Sequence, residues 1–199
     1  MIRLGLTGGI GMGKSASTDC LRNLGFPVSD SDVIAREIVA PGQPALDEIR
    51  GAFGGGFLAN DGSLDRSRLA ALVFKDSSAR QQLEAILHPR IRAVWQRALV
   101  EAARSGSVLG AAVIPLLYET HAEAEFDAVV CVACSASSQL ARLQHRGWSD
   151  DEARCRIAAQ WPVEEKMKRA RFVIWTEPPA RETVLQWRHV LATLGITPS

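Results

Sequence analysis

Little net charge is available to this chain: 23 lysines and arginines stand against 22 aspartates and glutamates. That balance gives no global field of the kind that draws a protein onto nucleic acid or an anionic membrane, so electrostatic function must be local. Long apolar runs are missing too. The start, MIRLGLTGG, is interrupted by glycine almost at once, which leaves no signal h-region and no membrane span and leads us to expect a cytoplasmic protein. Cysteine is sparse. The four, at 20, 131, 134 and 155, are expected as small core residues in a reducing compartment and not as disulfide partners. Cys131 and Cys134 spell C-x-x-C within an apolar strand, where residues three apart point to opposite faces and cannot readily share a metal or a bond. Tryptophans at 95, 148, 161, 175 and 187 fall in different elements without a stacking pattern, so they read as packing residues and exclude a nucleic-acid platform. Repeats and low-complexity tracts are also absent, and nothing sets an oligomeric state.

What is present is alternation. Apolar strand-like runs near 2–7, 26–30, 108–114, 126–134 and 172–176 are separated by stretches of helical spacing, the pattern of βαβ units around a parallel sheet buried on both faces. Helices are expected over 14–24, 31–40, 43–53, 66–74, 78–104, 136–146, 149–160, 163–170 and 180–194, with Pro89 marking a kink or break in the fifth. The stretch between the second and third strands is longer than a crossover needs and has room for a substrate subregion. A second helical excursion, about 136–170, is rich in arginine and lysine.

The chemistry starts directly after the first strand. Gly8-Gly9-Ile10-Gly11-Met12-Gly13-Lys14-Ser15 fills every fixed position of G-x-x-x-x-G-K-[ST] and runs into a helix through Ala16. Glycines let successive N–H groups turn toward phosphate oxygens, and the helix that follows places its positive end on the same anion. Lys14 can reach the β- and γ-phosphates, and the Ser15 hydroxyl is the expected magnesium ligand, so the cofactor is read as ATP with Mg2+. A dinucleotide fingerprint fits worse, because Lys14 stands where it needs glycine or alanine. GTP is disfavoured as well: the only asparagines, Asn23 and Asn60, lie outside any Asn-Lys-x-Asp segment.

Asp30 and Asp32 follow the second strand, at the carboxyl end where an open parallel sheet gathers its ligands. Either could take a proton from an attacking hydroxyl or hold magnesium through water; alternatively Asp30 caps the next helix and Asp32 sits against its dipole. Arg142 and Arg146 are four apart on one helix and could converge on a migrating phosphoryl group, or form a solvated basic face. His88 precedes Pro89 and fits a helix boundary or an acceptor contact; Glu119 follows a central strand and could meet the acceptor or a magnesium-bound water.

Taken together, the P-loop with Leu6-Thr7, Asp30-Ser31-Asp32 with Ala35-Arg36, Pro41-Gly42, Asp61-Gly62, His88-Pro89 with Ile91, Pro115-Leu116-Leu117 with Glu119, and Gln139-Leu140 with Arg142 and Arg146, continued by Arg156 and Gln160, resemble the dephospho-CoA kinases over nearly the whole chain. That family phosphorylates the ribose 3′-hydroxyl of dephospho-CoA in the last step of coenzyme A synthesis. The resemblance implies an α/β P-loop NTPase three-layer sandwich with a parallel sheet, a helical substrate-binding insertion at about 31–106 and a helical lid at about 136–170, all within one kinase domain spanning 1–199. It implies Asp32 as catalytic base beside Lys14 and Arg142, with Arg146 on the nucleotide and Thr7, Asp32, Arg36, His88, Leu117 and Glu119 on the dephospho-CoA side. Rivals are another small-molecule kinase of this fold and a nucleotide-switched binding module; an acceptor base favours transfer. Two departures stand out. Met12 replaces a usually small residue and is expected to alter the loop's outer surface, and Arg171 and Thr176 stand where the family usually shows an acidic residue and asparagine, so no adenine contact is carried over to that strand.

Overall fold

Strand formation in this chain follows its apolar runs, and the computed structural model describes residues 1–177 and 180–197. Five parallel strands, β1 (Ile2–Thr7), β2 (Val28–Asp30), β3 (Leu109–Val113), β4 (Ala128–Ala133) and β5 (Phe172–Trp175), form one sheet in the order β2-β3-β1-β4-β5. Strands β3 and β4 are buried along their whole length. Such continuous burial requires helices on both faces, which is why neither run alternates with polar residues.

The chain divides into two compact units, Met1–Ser29 with Leu99–Ser199, and Asp30–Ala98. In the first, Leu4, Leu6, Val130, Val132 and Ile174 line one sheet face and pack with Leu21 of α1 (Lys14–Asn23) and Trp187 and Leu191 of α9 (Ala180–Thr193). On the other face two glycines let neighbours press against the strands. A Cβ on Gly5 would stand 2.8 Å from Leu117 Cδ1, and one on Gly110 3.1 Å from Leu99 Cδ2. Helices α6 (Ala136–His145), α7 (Asp150–Ala158) and α8 (Val163–Arg169) fill the excursion between β4 and β5.

The second unit is helical: α2 (Ser31–Glu37), α3 (Pro44–Phe53), α4 (Arg66–Lys75) and most of α5 (Ser77–Arg104). Helix starts are written in the sequence. Asp30 Oδ1 accepts from Asp32 N at 2.9 Å, Asp65 Oδ1 from Arg68 N at 2.9 Å, and Pro44 opens α3 with its fixed φ. Val39, Ala45, Ile49 and Leu69 form its core, joined by Leu83, Ile86 and Leu87 of α5.

Three expectations are corrected here. Of the kink or break expected at Pro89, the break does not occur, and His88 is no helix boundary: α5 runs through both. Proline removes one N–H and crowds the preceding turn, but Leu83, Ile86 and Leu87 are packed before it and Trp95 is buried after it, while Arg90 Nη1 donates to Ile86 O at 2.6 Å. Packing on both sides outweighs the local cost. Cys20, Cys131 and Cys134 are buried and free as expected, whereas Cys155 is exposed on α7 and is not a core residue. Among the described residues no helix is long and apolar enough to cross a membrane.

Trp187 is fully buried between the sheet and its helix. Trp187→Ala is expected to cost about 3–5 kcal/mol, as large aromatic truncations in cores do, read as a lower urea midpoint. A midpoint within about 0.3 M of the unsubstituted chain, at ordinary m-values, would remove this residue from the core's support.

Candidate active site

The loop between β1 and α1 departs from the strand at Gly8, whose φ of 146° and position, with a would-be Cβ only 2.3 Å from Val132 O, admit no side chain. It re-enters the helix at Gly13, in the left-handed region at φ 89°, where a Cβ would strike Thr176 Oγ1 at 2.7 Å. Between them the backbone carbonyls are all engaged from outside or from below. Lys14 Nζ donates to Gly8 O and Gly9 O, each at 2.9 Å; Gln139 Nε2 donates to Ile10 O at 2.7 Å; Arg142 Nη1 lies 3.4 Å from Gly11 O; Thr176 Oγ1 donates to Met12 O at 2.8 Å; and Ala16 N donates to Gly13 O at 3.1 Å. Two loop N–H groups are spent elsewhere, Ile10 N on Gln160 Oε1 at 2.9 Å and Met12 N on Gly9 O at 3.3 Å; holding the carbonyls turns the remaining peptide planes, and with them their N–H groups, toward the concave side. The N-terminus of α1 carries no side-chain cap and no acidic residue in its first turn, which leaves its amides and dipole to an anion.

Met12 corrects the sequence reading. Its side chain is buried beneath the loop and not on its outer surface: Sδ lies 3.2 Å from Cys134 N and 3.5 Å from Cys134 Sγ. A flexible thioether fills the space between the loop and the end of β4. Burial raises the Cys134 thiol above its ordinary range and pushes Cys131 up to about 12, so both stay protonated packing groups.

The 136–170 excursion brings four polar side chains together around this loop and the end of β3. Ile10 is gripped twice, its carbonyl by Gln139 and its N–H by Gln160 Oε1 at 2.9 Å. Arg142 reaches Thr176, with Nη1 to Oγ1 at 2.9 Å and Nη2 to the carbonyl at 2.7 Å, whereas Arg146 is exposed as the C-cap of α6. Glu177, one residue further on, accepts from Ser138 Oγ at 2.6 Å, Trp175 Nε1 at 2.8 Å and the Ser135 hydroxyl; these bonds hold its carboxyl down at about 2. Residues 176 and 177 thus fasten the end of β5 to α6.

Glu119 has a different neighbour from the one its position suggests. Its Oε1 meets Lys166 Nζ at 2.7 Å and accepts from Trp161 N at 3.0 Å; Lys166, fully buried, also donates to Pro115 O at 2.7 Å, which accepts from Thr7 Oγ1 at 3.2 Å. Trp161 stacks on Tyr118 with centroids 6.3 Å apart, and the Arg169 guanidinium lies 4.8 Å over its ring. Leu117 is fully buried against Gly5, so its side chain is a core group. Lys166 was missed because it stands in the charged run Glu-Glu-Lys-Met-Lys-Arg. The signal was there: Val163, Lys166, Met167 and Ala170 are spaced as one helix face.

In the second unit Asp32 is exposed in the first turn of α2, Arg36 is exposed on the same helix with its carbonyl accepting from Arg66 Nη2 at 3.0 Å, and His88 is half-buried inside α5. Asp30 has the capping role.

The comparisons with known proteins point one way. The family model described as dephospho-CoA kinase matches residues 2–180. The dephospho-CoA kinase of Geobacillus kaustophilus is 43% identical over 194 residues, covering 96% of this chain and 95% of the relative. Among solved structures, a Thermus thermophilus protein superposes with a TM-score of 0.82 at 35% identity, with 97% of each chain covered. The dephospho-CoA kinase of Campylobacter jejuni superposes with a TM-score of 0.70 at 26% identity, with 96% of each chain covered.

The geometry around Lys166 gives a stability prediction. Lys166→Met leaves the largely buried Glu119 carboxylate beside Trp161 without its counter-charge, and a loss of about 3 kcal/mol, the low end for breaking a buried pair, is expected. Adding Glu119→Gln should recover a large part of it. Thermal melts of the three proteins decide; a single variant as stable as the parent would mean the pair is not buried in solution.

Proposed function

The chain belongs to the dephospho-CoA kinase family, and from that premise we propose how its own residues divide the work. It is a phosphotransferase that uses ATP, and dephospho-CoA is its acceptor. The γ-phosphoryl group passes to the ribose 3′-hydroxyl, giving coenzyme A and ADP, with the hydroxyl proton released. The observation that carries this reading is the loop Gly8–Ser15, with each carbonyl from Gly8 to Gly13 engaged, so that its amides other than those of Ile10 and Met12 are left to a polyphosphate before any rearrangement.

Within it, the amides of the loop and of α1, up to Ala16, bind the α- and β-phosphates. Lys14 exchanges its two loop carbonyls for β- and γ-phosphate oxygens as the triphosphate enters. Ser15, exposed at the start of α1, is the hard oxygen donor for magnesium. Magnesium held there would neutralise charge on the β- and γ-phosphates. Arg142, lying against Gly11 and Gly13, meets the charge that spreads over the phosphoryl oxygens, and Arg146 assists from the nucleotide side.

Asp32 is the base that takes the proton of the acceptor hydroxyl. Support comes from its place: the Asp32 carboxylate is exposed in the first turn of α2, two residues beyond the end of β2. The helical unit 30–98 holds the acceptor, with Arg36 and His88 as contacts. The 136–170 excursion is the lid, and its moving part is α7, since α6 is tied to the loop through Gln139 and Arg142 and the segment after α7 through Gln160 and Lys166. Thr7, Leu117 and Glu119 support the acceptor side from the end of the sheet. A cytoplasmic location fits the use of ATP and the three buried, free cysteines.

Two substitutions test the assignment. Lys14→Ala is expected to weaken ATP binding in calorimetry and to remove nearly all turnover; unchanged affinity and rate would refute the loop's role. Asp32→Asn keeps the shape of a helix-start residue but accepts no proton. A loss of about 10²–10⁴-fold in kcat at an unchanged melting temperature is expected in an assay that couples ADP release to dephospho-CoA. If the variant instead melts early and keeps its rate per folded molecule, Asp32 is structural and Asp30 becomes the candidate base.

A further inference from the structure

Thr176 is buried at the end of β5, and its hydroxyl has three oxygen or nitrogen neighbours: Met12 O at 2.8 Å, Arg142 Nη1 at 2.9 Å and Ala133 O at 3.3 Å. A hydroxyl owns one proton. Ala133 O already accepts from Thr176 N at 2.9 Å and is the more distant of the two carbonyls, so the proton goes to Met12 O and the lone pairs face Arg142. The second guanidinium nitrogen, Nη2, donates to the Thr176 carbonyl at 2.7 Å.

We propose that Thr176 is a positioning residue for phosphoryl transfer, its hydroxyl, anchored on Met12 O, holding the guanidinium of Arg142 beside the phosphate loop. The proposal rests on the reading that Arg142 acts on the transferring group. Arginine has a long stem with several rotatable bonds, and ordering it at the moment of reaction costs rotamer entropy. Two parallel N–H bonds onto one residue pay that cost during folding, so the charge is in place before the reaction begins. The site for it is tight. A Cβ on Gly13 would lie 2.7 Å from Thr176 Oγ1 and 3.2 Å from Arg142 Nη1, so the hydroxyl and the guanidinium both sit against the residue that starts α1. Removing the hydroxyl leaves Arg142 with one bond to residue 176, about which it can pivot, and leaves Met12 O without its donor.

Thr176→Val keeps the shape and removes the hydroxyl. It is expected to lower kcat about ten- to a hundredfold, the size of one hydrogen bond to a charged group, with a smaller change in the KM for ATP. Thr176→Ser keeps the hydroxyl and should return kcat to within about threefold of the parent, and Thr176→Ala should not, a contrast that stands even if the valine variant folds poorly. The decisive comparison repeats Thr176→Val in an Arg142→Ala background, with rates divided by the nucleotide-binding fraction from ADP calorimetry. If Thr176 acts through Arg142, the second substitution adds less than about twofold there. A full additional loss in that background, or no loss from Thr176→Val in the parent while Arg142→Ala is impaired, overturns the role of Thr176. Parent-like kcat in Arg142→Ala refutes the reading of Arg142 instead, whatever Thr176 does.

Discussion

A backbone that must offer most of its N–H groups to an anion can spend few of them on itself, and here only Met12 N bonds within the loop, to Gly9 O, so the conformation has to be held mainly through its carbonyls. That constraint organises everything around residues 8–13. Glycine supplies the dihedral freedom at Gly8 and Gly13, but freedom alone would leave the loop disordered in φ and ψ. Order comes from donors in three places in the sequence: Gln139 and Arg142 of α6, Thr176 at the end of β5, and Lys14, which holds Gly8 O and Gly9 O until the triphosphate takes their place. Each is a side chain whose own acceptor is a loop carbonyl. Remove them and the same glycines that permit the loop would let it collapse into ordinary turns.

The second network repeats the logic with charge. Lys166 enters the interior fully buried, at a desolvation cost that only close partners offset, and it finds Glu119 and Pro115 O. Trp161 N uses the same carboxylate oxygen, and the adjoining Gln160 reaches back to Ile10. One short segment, 160–166, is therefore joined to the phosphate loop at one end and to the end of β3 at the other. Because Pro115 O also accepts from Thr7, the line closes on β1, the strand from which the loop springs. The loop and its strand are held at both ends by a segment some 150 residues away in sequence.

Strands, helices and the phosphate loop were legible because each has a local cause: apolar runs for the sheet, Asp30 and Asp65 as caps, and glycine with lysine at fixed spacing. What the sequence hid is the set of tertiary bonds. Gln139 and Gln160 could be recognised as parts of a pattern, yet nothing local says that one amide donates and the other accepts at the same residue, Ile10. Met12 was misjudged for a related reason. A loop residue is expected to face solvent, but here the loop lies over the end of β4, and the thioether drops into the gap beside Cys134. Lys166 was concealed by its charge, since a lysine among acids and bases reads as solvated until its helix face is counted.

Thr176 shows how a departure from a family pattern can preserve chemistry. The resemblance alone makes threonine at this position look like a loss, because asparagine, the usual residue, carries a donor and an acceptor on separate atoms. The geometry asks for one donor, toward Met12 O, and one acceptor, toward Arg142 Nη1, within a space bounded by Gly13. A hydroxyl provides both from one atom and needs less room. The required property is thus a donor and an acceptor at the end of β5, close against the start of α1. Valine meets the size of the site and neither bond; serine meets both bonds at a smaller size. Position in the fold, with a donor and an acceptor in a small space, is what this corner requires in physical terms.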